Sequence, residues 1–404
     1  MPSIPTPNAE RPHIGLFGRT NTGKSSLINA LTNQKLAVVS PIAGTTTDAV
    51  AKAMELLPLG PIVLLDTPGL DDKSVLGNLR EEKTKEAIRR ADLAILVAEA
   101  QTPLQETELA LLEELKKREI PTLIAFNKCD APNAKTLEEL KANLNLPALL
   151  VSAKTGEGLQ ELKATLAKIA PQSEAHPLVR DLLNPNDFVV LVVPIDKAAP
   201  KGRLILPQQQ VIRDALEAGA VPIVTRDTEL AETLKRLPNP KLVITDSQAF
   251  GKVSQIVPHT LPLTSFSILL ARAKGNLSQQ IKGVNALLNL KDGEKILIAE
   301  GCTHHRQCED IGTVKIPNWI KEKLHVTPAF SFTNGGEFPL DLTPYKVILH
   351  CGGCMLTQKE MQNRLRDALA QNVPITNYGL AIAALHGILK RSLEIFPTVR
   401  ALLD

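Results

Sequence analysis

The sequence predicts an α/β protein of three consecutive domains, and three observations support this fold class. The chain has 404 residues, which is too long for a single hydrophobic core. Short apolar runs typical of buried strands alternate with helical stretches, as in parallel sheets covered by helices. A Pro-, Gln- and Ser-containing stretch at 171–177 has no periodicity and indicates a linker. The predicted domains span residues 1–172, 176–265 and 266–404.

Composition narrows the range of functions. Lys and Arg total 46 against 43 Asp and Glu, so no overall field draws the chain to nucleic acid or membrane. Aromatic residues make up only 3%, which leaves few stacking platforms for single-stranded RNA. The sequence shows neither a signal-peptide pattern nor an apolar run near the roughly 20 residues that cross a bilayer. We therefore expect a cytoplasmic protein whose partners are proteins or small molecules.

A phosphate-binding loop follows the first predicted strand, at 14–17. Residues 18–25, with the sequence GRTNTGKS, match the full spacing of this loop and lead into a helix. Glycines let backbone N–H groups surround the phosphates, Lys24 reaches the β and γ phosphates, and the Ser25 hydroxyl binds Mg²⁺. The predicted phosphate-site residues are Gly18, Asn21, Thr22, Gly23, Lys24, Ser25 and Ser26.

Two further motifs end apolar runs and complete a nucleotide site. Asp66 follows the run 62–65 and can hold Mg²⁺ through water, while Gly69 lets the backbone approach the γ-phosphate. Asp130 follows the run 122–126 and can accept hydrogen bonds from two guanine nitrogens, which adenine does not offer. Together these motifs predict an N-terminal phosphate-loop GTPase domain. The predicted base-site residues are Asn127, Lys128, Asp130, Ser152, Ala153 and Lys154.

The first switch segment and the water-positioning residue are less regular. This domain resembles bacterial GTPases of tRNA modification and ribosome assembly, whose Thr-x-Asp pattern implies Thr46 rather than Thr45 or Thr47 as the Mg²⁺ ligand. In those relatives an asparagine at the position of Asn21 helps to bind K⁺, which implies potassium-stimulated hydrolysis, although such an asparagine can equally bind its own backbone. Leu70 replaces the glutamine of Ras-like enzymes, so hydrolysis should be slow. The predicted catalytic residues are Lys24, Thr46, Asp66 and Gly69.

The middle domain is predicted to contain a small parallel sheet. Strands at 188–195, 221–225 and 241–245 alternate with helices at 211–219 and 228–237. No phosphate loop, carboxylate pair or metal-ligand set occurs here, so oligomerisation is its predicted role. Four charged residues are interpreted as a solvated loop: Asp196, Lys197, Lys201 and Arg203.

The last domain contains a predicted metal site. A helical stretch at 267–290 precedes a strand at 294–300, and Cys302 follows that strand directly. Cys351 and Cys354 follow another apolar run, and two thiols three residues apart can bind one soft metal. If the two strands are parallel neighbours, their carboxyl ends meet at one crevice, where Cys302 and His304 could complete the site.

The identity of the metal is left open by these residues. Three thiols and one replaceable position suit an iron-sulfur cluster with an open iron, and zinc is the alternative. Four of the five cysteines lie between 302 and 354, which argues against a disulfide framework. Cys308 is interpreted as a spectator, and His304 is preferred over His305 and His350 as a ligand.

The whole pattern resembles the HydF family of GTPases, which mature FeFe-hydrogenases. The resemblance rests on the GTPase motifs followed by Cys302-x-His304 and His350-Cys351-x-x-Cys354, and it spans the chain. It implies a 4Fe-4S cluster on the three cysteines, with one labile iron position and His304 as a possible fourth ligand. It also implies a homodimer formed through the middle domain. The roles of His305, His350 and Cys308 stay open.

The same resemblance implies a scaffold function. The protein would receive the two-iron precursor of the hydrogenase H-cluster from radical-SAM maturases and deliver it to the FeFe-hydrogenase, while GTP regulates partner exchange. The predicted fold class is then an N-terminal phosphate-loop GTPase domain, a middle parallel α/β dimerisation domain and a C-terminal α/β iron-sulfur cluster domain. One alternative is a ribosome- or tRNA-modification GTPase with a C-terminal zinc or RNA-binding module. Another is a zinc-dependent hydrolase.

Overall fold

The computed structural model describes residues 6–32, 50–70, 77–141, 144–171, 176–195, 204–302 and 310–403. The chain forms two compact units, residues 1–173 and 174–404. Across the described residues, every helix is too short or too polar to span a lipid bilayer.

The first unit contains one six-stranded sheet in the order β2-β3-β1-β4-β5-β6. All pairs are parallel except β2 with β3, an antiparallel edge pair that the sequence did not indicate. The strands are β1 (His13–Phe17), β2 (Val50–Leu56), β3 (Gly60–Asp66), β4 (Leu93–Glu99), β5 (Thr122–Asn127) and β6 (Ala148–Leu150). The helices are α1 (Lys24–Thr32), α2 (Gly77–Arg90), α3 (Glu106–Lys117), α4 (Leu137–Lys141) and α5 (Leu159–Ile169).

The central strands of this sheet are buried on both faces. Leu16 packs with Leu27 in one core cluster, whereas its neighbour Phe17 packs with Leu115 in a second cluster. Each such side chain contributes about 1.5–3 kcal/mol when it is fully buried. Because β1, β3, β4 and β5 run parallel, the loops that follow them all leave at one edge of the sheet.

The second unit contains two four-stranded sheets, both entirely parallel, in the orders β10-β9-β7-β8 and β12-β11-β13-β14. The strands are β7 (Phe188–Val192), β8 (Val221–Thr225), β9 (Leu242–Thr245), β10 (Leu263–Ser265), β11 (Lys295–Ala299), β12 (Ala329–Thr333), β13 (Val347–His350) and β14 (Ile375–Asn377). The helices are α6 (Leu206–Glu217), α7 (Leu230–Arg236), α8 (Phe250–Ile256), α9 (Phe266–Lys274), α10 (Leu277–Leu288), α11 (Ile316–Leu324), α12 (Gln358–Ala370), α13 (Tyr378–Leu385), α14 (Leu389–Ser392) and α15 (Pro397–Arg400).

These elements confirm the predicted parallel sheet of the middle region and refine two predicted segments. The strand predicted at 188–195 ends at Val192. The helical stretch predicted at 267–290 is divided into α9 and α10. The break occurs because Gly275 is extended and the Asn276 side chain accepts the backbone N–H of Gln279 at 3.0 Å, which starts a new helix.

The two sheets of the second unit share one hydrophobic core. Val190 and Ile244 from the first of these sheets belong to the same buried cluster as Ile298 and Leu349 from the second. Residues 174–404 therefore form one compact unit, within which the predicted boundary at 265/266 falls between β10 and α9. That boundary stays a prediction.

Candidate functional site

The phosphate-binding loop joins β1 to α1 in the first unit. Gly18 has a φ of 149°, and a Cβ at this position would lie 2.2 Å from the Val97 carbonyl oxygen. Only glycine fits such a turn against the neighbouring strand. The Lys24 ammonium donates hydrogen bonds of 2.8 Å to the carbonyls of Gly18 and Arg19. The lysine predicted to bind phosphates therefore lies inside the loop, with only 7% of its surface exposed.

Asp66 supplies the acidic group at the end of β3. Burial raises the pKa of this carboxyl, and the opposing effects come from Lys24, Lys52 and a hydrogen bond with Ser25. Its Oδ1 atom is buried and has no hydrogen-bond partner among the described residues. A buried carboxylate oxygen without a donor is costly, and a cation would satisfy it. Asp66 and Ser25 thus fit the predicted Mg²⁺ site.

The segment after Asp66 packs directly against the phosphate loop. A Cβ at Gly69 would lie 2.2 Å from Oγ1 and 2.8 Å from the backbone nitrogen of Thr20. The backbone N–H of Leu70 donates to the Gly18 carbonyl at 3.2 Å. A side chain at position 69 would therefore displace the phosphate loop.

Asn127 joins three of the predicted motifs. Its Nδ2 donates to the Thr22 carbonyl at 2.8 Å, and its Oδ1 accepts the backbone N–H of Ala153 at 3.0 Å. A Cβ at Gly23 would lie 2.3 Å from the same Nδ2 atom. The phosphate loop and the two base-site loops consequently meet at one buried amide.

The predicted guanine-binding carboxylate is fixed by a serine. Ser152 Oγ donates to Asp130 Oδ1 at 2.7 Å and accepts the backbone N–H of Thr155 at 3.1 Å. The Ser152 hydrogen bond is the main reason that the pKa of Asp130 is lowered, and Lys154 adds a smaller effect. Lys128 forms an ion pair with Glu99. Asp130 is therefore an ionised acceptor, as guanine recognition requires.

Several predicted residues are not part of these contacts. Asn21 is exposed, with a φ of 65°, and Ser26 lies in the first turn of α1. Ten other residues that the sequence analysis named, from all three predicted domains, lie outside the described residues: Thr45, Thr46, Thr47, Asp196, Lys197, Lys201, Arg203, His304, His305 and Cys308.

The cysteine crevice lies at the carboxyl ends of β11 and β13. These strands are parallel neighbours, with Ala299 paired to His350, which confirms the predicted adjacency. The backbone N–H of Cys351 donates to the Ala299 carbonyl at 2.9 Å. The Cys351 sulfur accepts the backbone N–H of Gly301 at 3.1 Å and that of Gly353 at 3.4 Å. Backbone donors from both strand ends thus converge on one sulfur.

Burial controls the ionisation of these thiols. It raises the pKa of Cys351 to about 11, against the opposing effect of the two backbone N–H groups. Burial also raises the pKa of Cys354, while the nearby Lys274 ammonium lowers it. Both groups are protonated at neutral pH, so a soft metal that binds here must release protons.

The third predicted sulfur, Cys302, directly follows Gly301, whose N–H binds Cys351. Within the described ranges, no three His, Cys, Asp or Glu side chains form a group that could hold a metal ion. Shared ligation by Cys302, Cys351 and Cys354 therefore stays a prediction. The backbone donors around the Cys351 sulfur are the feature that suits a bound thiolate.

His350 uses both ring nitrogens inside the protein. Its Nε2 lies 3.0 Å from Nη1 of Arg364, and its Nδ1 lies 2.8 Å from the Cys351 carbonyl oxygen. A guanidinium only donates, so Nε2 is the acceptor and Nδ1 donates to Cys351. Burial, and then Arg364, lower the pKa of His350 to about 3, so the ring is neutral. His350 is placed to orient Cys351 rather than to bind a metal.

Arg364 and Glu360 complete this buried network, and neither residue was among the predicted site residues. Arg364 Nη2 donates to Glu360 Oε1 at 2.8 Å and to the Gly335 carbonyl at 2.7 Å. Its guanidinium carbon lies 5.1 Å from the centre of the Phe338 ring. The i,i+4 spacing of Glu360 and Arg364 on a helix was the available signal.

Three other side chains near the crevice gave no sequence signal because each comes from a different element. Tyr378 donates its hydroxyl to Glu300 Oε1 at 3.3 Å, and both residues are buried. Burial, followed by the charge of Glu300, raises the pKa of Tyr378 well above its usual value. Lys274 contacts the loop that contains Cys354. Spacing along the chain does not reveal such neighbours.

Family models match most of the chain. A model described as hydrogen maturase F dimerization domain matches residues 178–275, and one described as hydrogen maturase F tetramerization domain matches residues 278–395. A third model, described as 50S ribosome-binding GTPase, matches residues 13–128.

Curated relatives match part of the chain. The tRNA modification GTPase MnmE of Aquifex aeolicus is 33% identical over 156 residues, which are 38% of this chain and 34% of the relative. MnmE of Roseiflexus sp. is 37% identical over 164 residues, 38% of this chain and 35% of the relative. The chain thus matches about a third of the length of these relatives.

Two solved structures match part of the chain. Era of Aquifex aeolicus, bound to GDP and aluminium fluoride, is 21% identical with a TM-score of 0.37, over 53% of this chain and 92% of that one. The G domain of the FeoB iron transporter of T. maritima is 32% identical with a TM-score of 0.32. The match covers 40% of this chain and 99% of that one.

Proposed function

Because the chain belongs to the hydrogen maturase F family, we propose that it is a scaffold that carries a two-iron precursor to an FeFe-hydrogenase. The two hydrogen maturase F models together span more than half of the chain. The protein is a hydrogenase-maturation GTPase, which binds GTP and Mg²⁺, hydrolyses GTP and has dimerization and tetramerization domains for oligomerisation. The proposal adds the cluster, its cargo and its delivery.

Cys302, Cys351 and Cys354 would hold a 4Fe-4S cluster in the crevice between β11 and β13. When bound, such a cluster would supply one iron position that no cysteine occupies, open to His304 or to the cargo. The supporting observation is the Cys351 sulfur, which accepts backbone N–H groups from Gly301 and Gly353. Such donors stabilise a thiolate and fix its direction, as expected of a metal ligand.

In the nucleotide site, Lys24 would contact the β and γ phosphates, and Ser25 and Asp66 would hold Mg²⁺. Thr46 and Gly69 would contact the γ-phosphate. We expect K⁺ to stimulate hydrolysis through Asn21, because Leu70 cannot orient the attacking water as a glutamine does. The base would be bound by Asn127, Lys128, Asp130, Ser152, Ala153 and Lys154.

GTP would regulate which partner the scaffold accepts. The partners in this proposal are the radical-SAM maturases and the FeFe-hydrogenase. GTP can shift partner exchange only if it binds the two complexes with different affinity. Partner affinity should therefore differ with and without GTP, while the absorption of the cluster stays the same. Equal affinities under both conditions would contradict this regulation.

Anaerobic reconstitution with iron and sulfide tests the scaffold proposal. The wild-type protein should become brown and retain iron, whereas a zinc protein would remain colourless. Cys351→Ser should lose most of the iron and keep GTP hydrolysis. Lys24→Ala should lose GTP hydrolysis and keep the iron. Cys129→Ser is the matched control, since Cys129 lies beside the base site. Unchanged iron content in Cys351→Ser would overturn the assignment of this ligand.

The alternative of a ribosome- or tRNA-modification GTPase rests on the first unit alone. The 50S ribosome-binding model matches residues 13–128, whereas the hydrogen maturase F models match residues 178–395 apart from 276–277. RNA binding that weakens steeply with salt would favour the alternative.

A further inference from the structure

Helix α9 connects the two sheets of the second unit. Its N-cap is Ser265, the last residue of β10, whose Oγ accepts the backbone N–H of Ile268 at 3.2 Å. Its first turn reaches the end of β14, where Asn377 Nδ2 donates to the Ser267 carbonyl at 2.7 Å. A Cβ at Gly352 would lie 3.3 Å from Leu270 Cδ1. The residues after Cys351 thus pack against a helix that leads out of the other sheet.

Lys274, the last residue of α9, binds the loop that contains Cys354. Its Nζ donates to the carbonyls of Gly353 at 3.0 Å, Cys354 at 3.3 Å and Leu356 at 2.7 Å. Three acceptors equal the number of donors on an ammonium, and hydrogen bonds from a charged donor are stronger than neutral ones. The loop itself is closed by the Leu356 N–H, which donates to the Gly353 carbonyl at 3.1 Å.

These contacts explain why the loop needs a cation at this place. Three carbonyl oxygens directed at one point repel each other unless a positive charge lies between them. The sequence between residues 351 and 357 contains no basic residue that could supply it. The charge comes instead from residue 274, which belongs to the region matched by the dimerization model, whereas the loop belongs to the region matched by the tetramerization model.

We propose that Lys274 is the positioning residue of the cysteine loop. By binding the carbonyls of Gly353, Cys354 and Leu356, it holds the turn that keeps Cys354 beside Cys351. The inference rests on the proposed function only where it treats these two thiols as metal ligands. It assigns to the oligomerisation region a direct part in shaping the cluster site.

Amide exchange in the full-length, chelator-treated protein tests the loop itself. Lys274→Met should speed hydrogen exchange of the Leu356 amide by about tenfold or more, since a hydrogen bond to a charged group has this effect on a local equilibrium. Lys274→Arg keeps the charge and several donors, so it should retain most of the protection. Lys282→Met is the matched control, because Lys282 is an exposed lysine on the next helix. Unchanged Leu356 exchange in Lys274→Met would overturn the proposal.

Iron retention tests the consequence for the cluster site. After reconstitution, Lys274→Met should lose iron to a chelator about tenfold faster than the wild type, at an unchanged GTP hydrolysis rate. Equal rates of loss in Lys274→Met and wild type would overturn the positioning role. If the wild type itself takes up no iron, the scaffold function fails, and the Leu356 amide still decides whether Lys274 holds the loop. Should Lys274→Met not fold, Lys274→Gln takes its place in both measurements.

Discussion

Arg364 donates a hydrogen bond of 3.0 Å to Nε2 of His350, and neither side chain is exposed to solvent. This contact sets the tautomer of His350 and directs its other nitrogen to the carbonyl of Cys351. Both ring nitrogens of His350 are therefore hydrogen-bonded within the protein, so this histidine has a structural role. The same arginine forms a buried ion pair with Glu360, which makes the network sensitive to the loss of one charge.

Arg364→Met should strongly destabilise the second unit. The substitution leaves the Glu360 carboxylate buried without its partner, which costs about 3–5 kcal/mol. Urea unfolding should show this loss. The double variant Arg364→Met with Glu360→Leu should lose less, because no isolated charge is then buried. An equal or larger loss in the double variant would contradict this account.

Asp130→Asn should change the base preference of the nucleotide site. An asparagine amide can donate to the C2 oxygen of xanthine but cannot accept both guanine hydrogens, so GTP affinity should fall and xanthosine triphosphate affinity should rise. We expect a loss of at least about tenfold for GTP, measured with a fluorescent analogue. Cys129→Ser, one residue away, should leave both affinities unchanged. Retention of full GTP affinity in Asp130→Asn would rule out this contact.

Asn21→Ala should remove the potassium dependence of GTP hydrolysis. The wild type should hydrolyse GTP faster in KCl than in NaCl at the same ionic strength, because K⁺ would supply positive charge that the site otherwise lacks. The Asn21 side chain is exposed within the phosphate loop, so its loss removes no buried contact, although its φ of 65° is less favourable for alanine than for asparagine. Equal wild-type rates in both salts would contradict the assignment.

Asp181→Asn should reduce stability at neutral pH and have little effect in acid. A hydrogen bond from Arg272 is the main reason that the pKa of Asp181 lies below its usual value. A lowered pKa means that this contribution is fully present above about pH 3.9, the value in the unfolded chain, and is lost as pH falls through the folded pKa. Urea midpoints at pH 7 and at a series of pH values below about 3.9 would measure it. An effect of the substitution that does not fall with pH over this series would show that the ion pair is not responsible.

Several features could be predicted from the sequence because they depend on short segments. The phosphate loop needs glycines at the positions where the backbone turns, such as Gly18, and this requirement is visible in the order of residues. Apolar runs predict that strands end at Asp66, at Asn127 and just before Cys351, and parallel strands then bring their carboxyl ends together.

Other features could not be predicted because their partners are far apart in the chain. The shared core of the second unit joins Val190 to Leu349, and no local pattern distinguishes it from two separate cores. The sequence alone leaves His350 open as a metal ligand, whereas in the structure its Nε2 is hydrogen-bonded to Arg364. Nothing near Lys274 in the sequence indicates that it binds carbonyls about eighty residues away.

The sequence by itself determined the chemistry: a guanine-nucleotide site built from contiguous motifs, and thiols placed directly after buried strands. Backbone turns and strand ends are local, so residue order is enough to specify them. Only the tertiary structure decided which side chains support the thiols, because Lys274, Glu360 and Arg364 reach them through packing between elements that are distant in sequence. The energy of such contacts depends on burial and direction, which exist only in the folded chain.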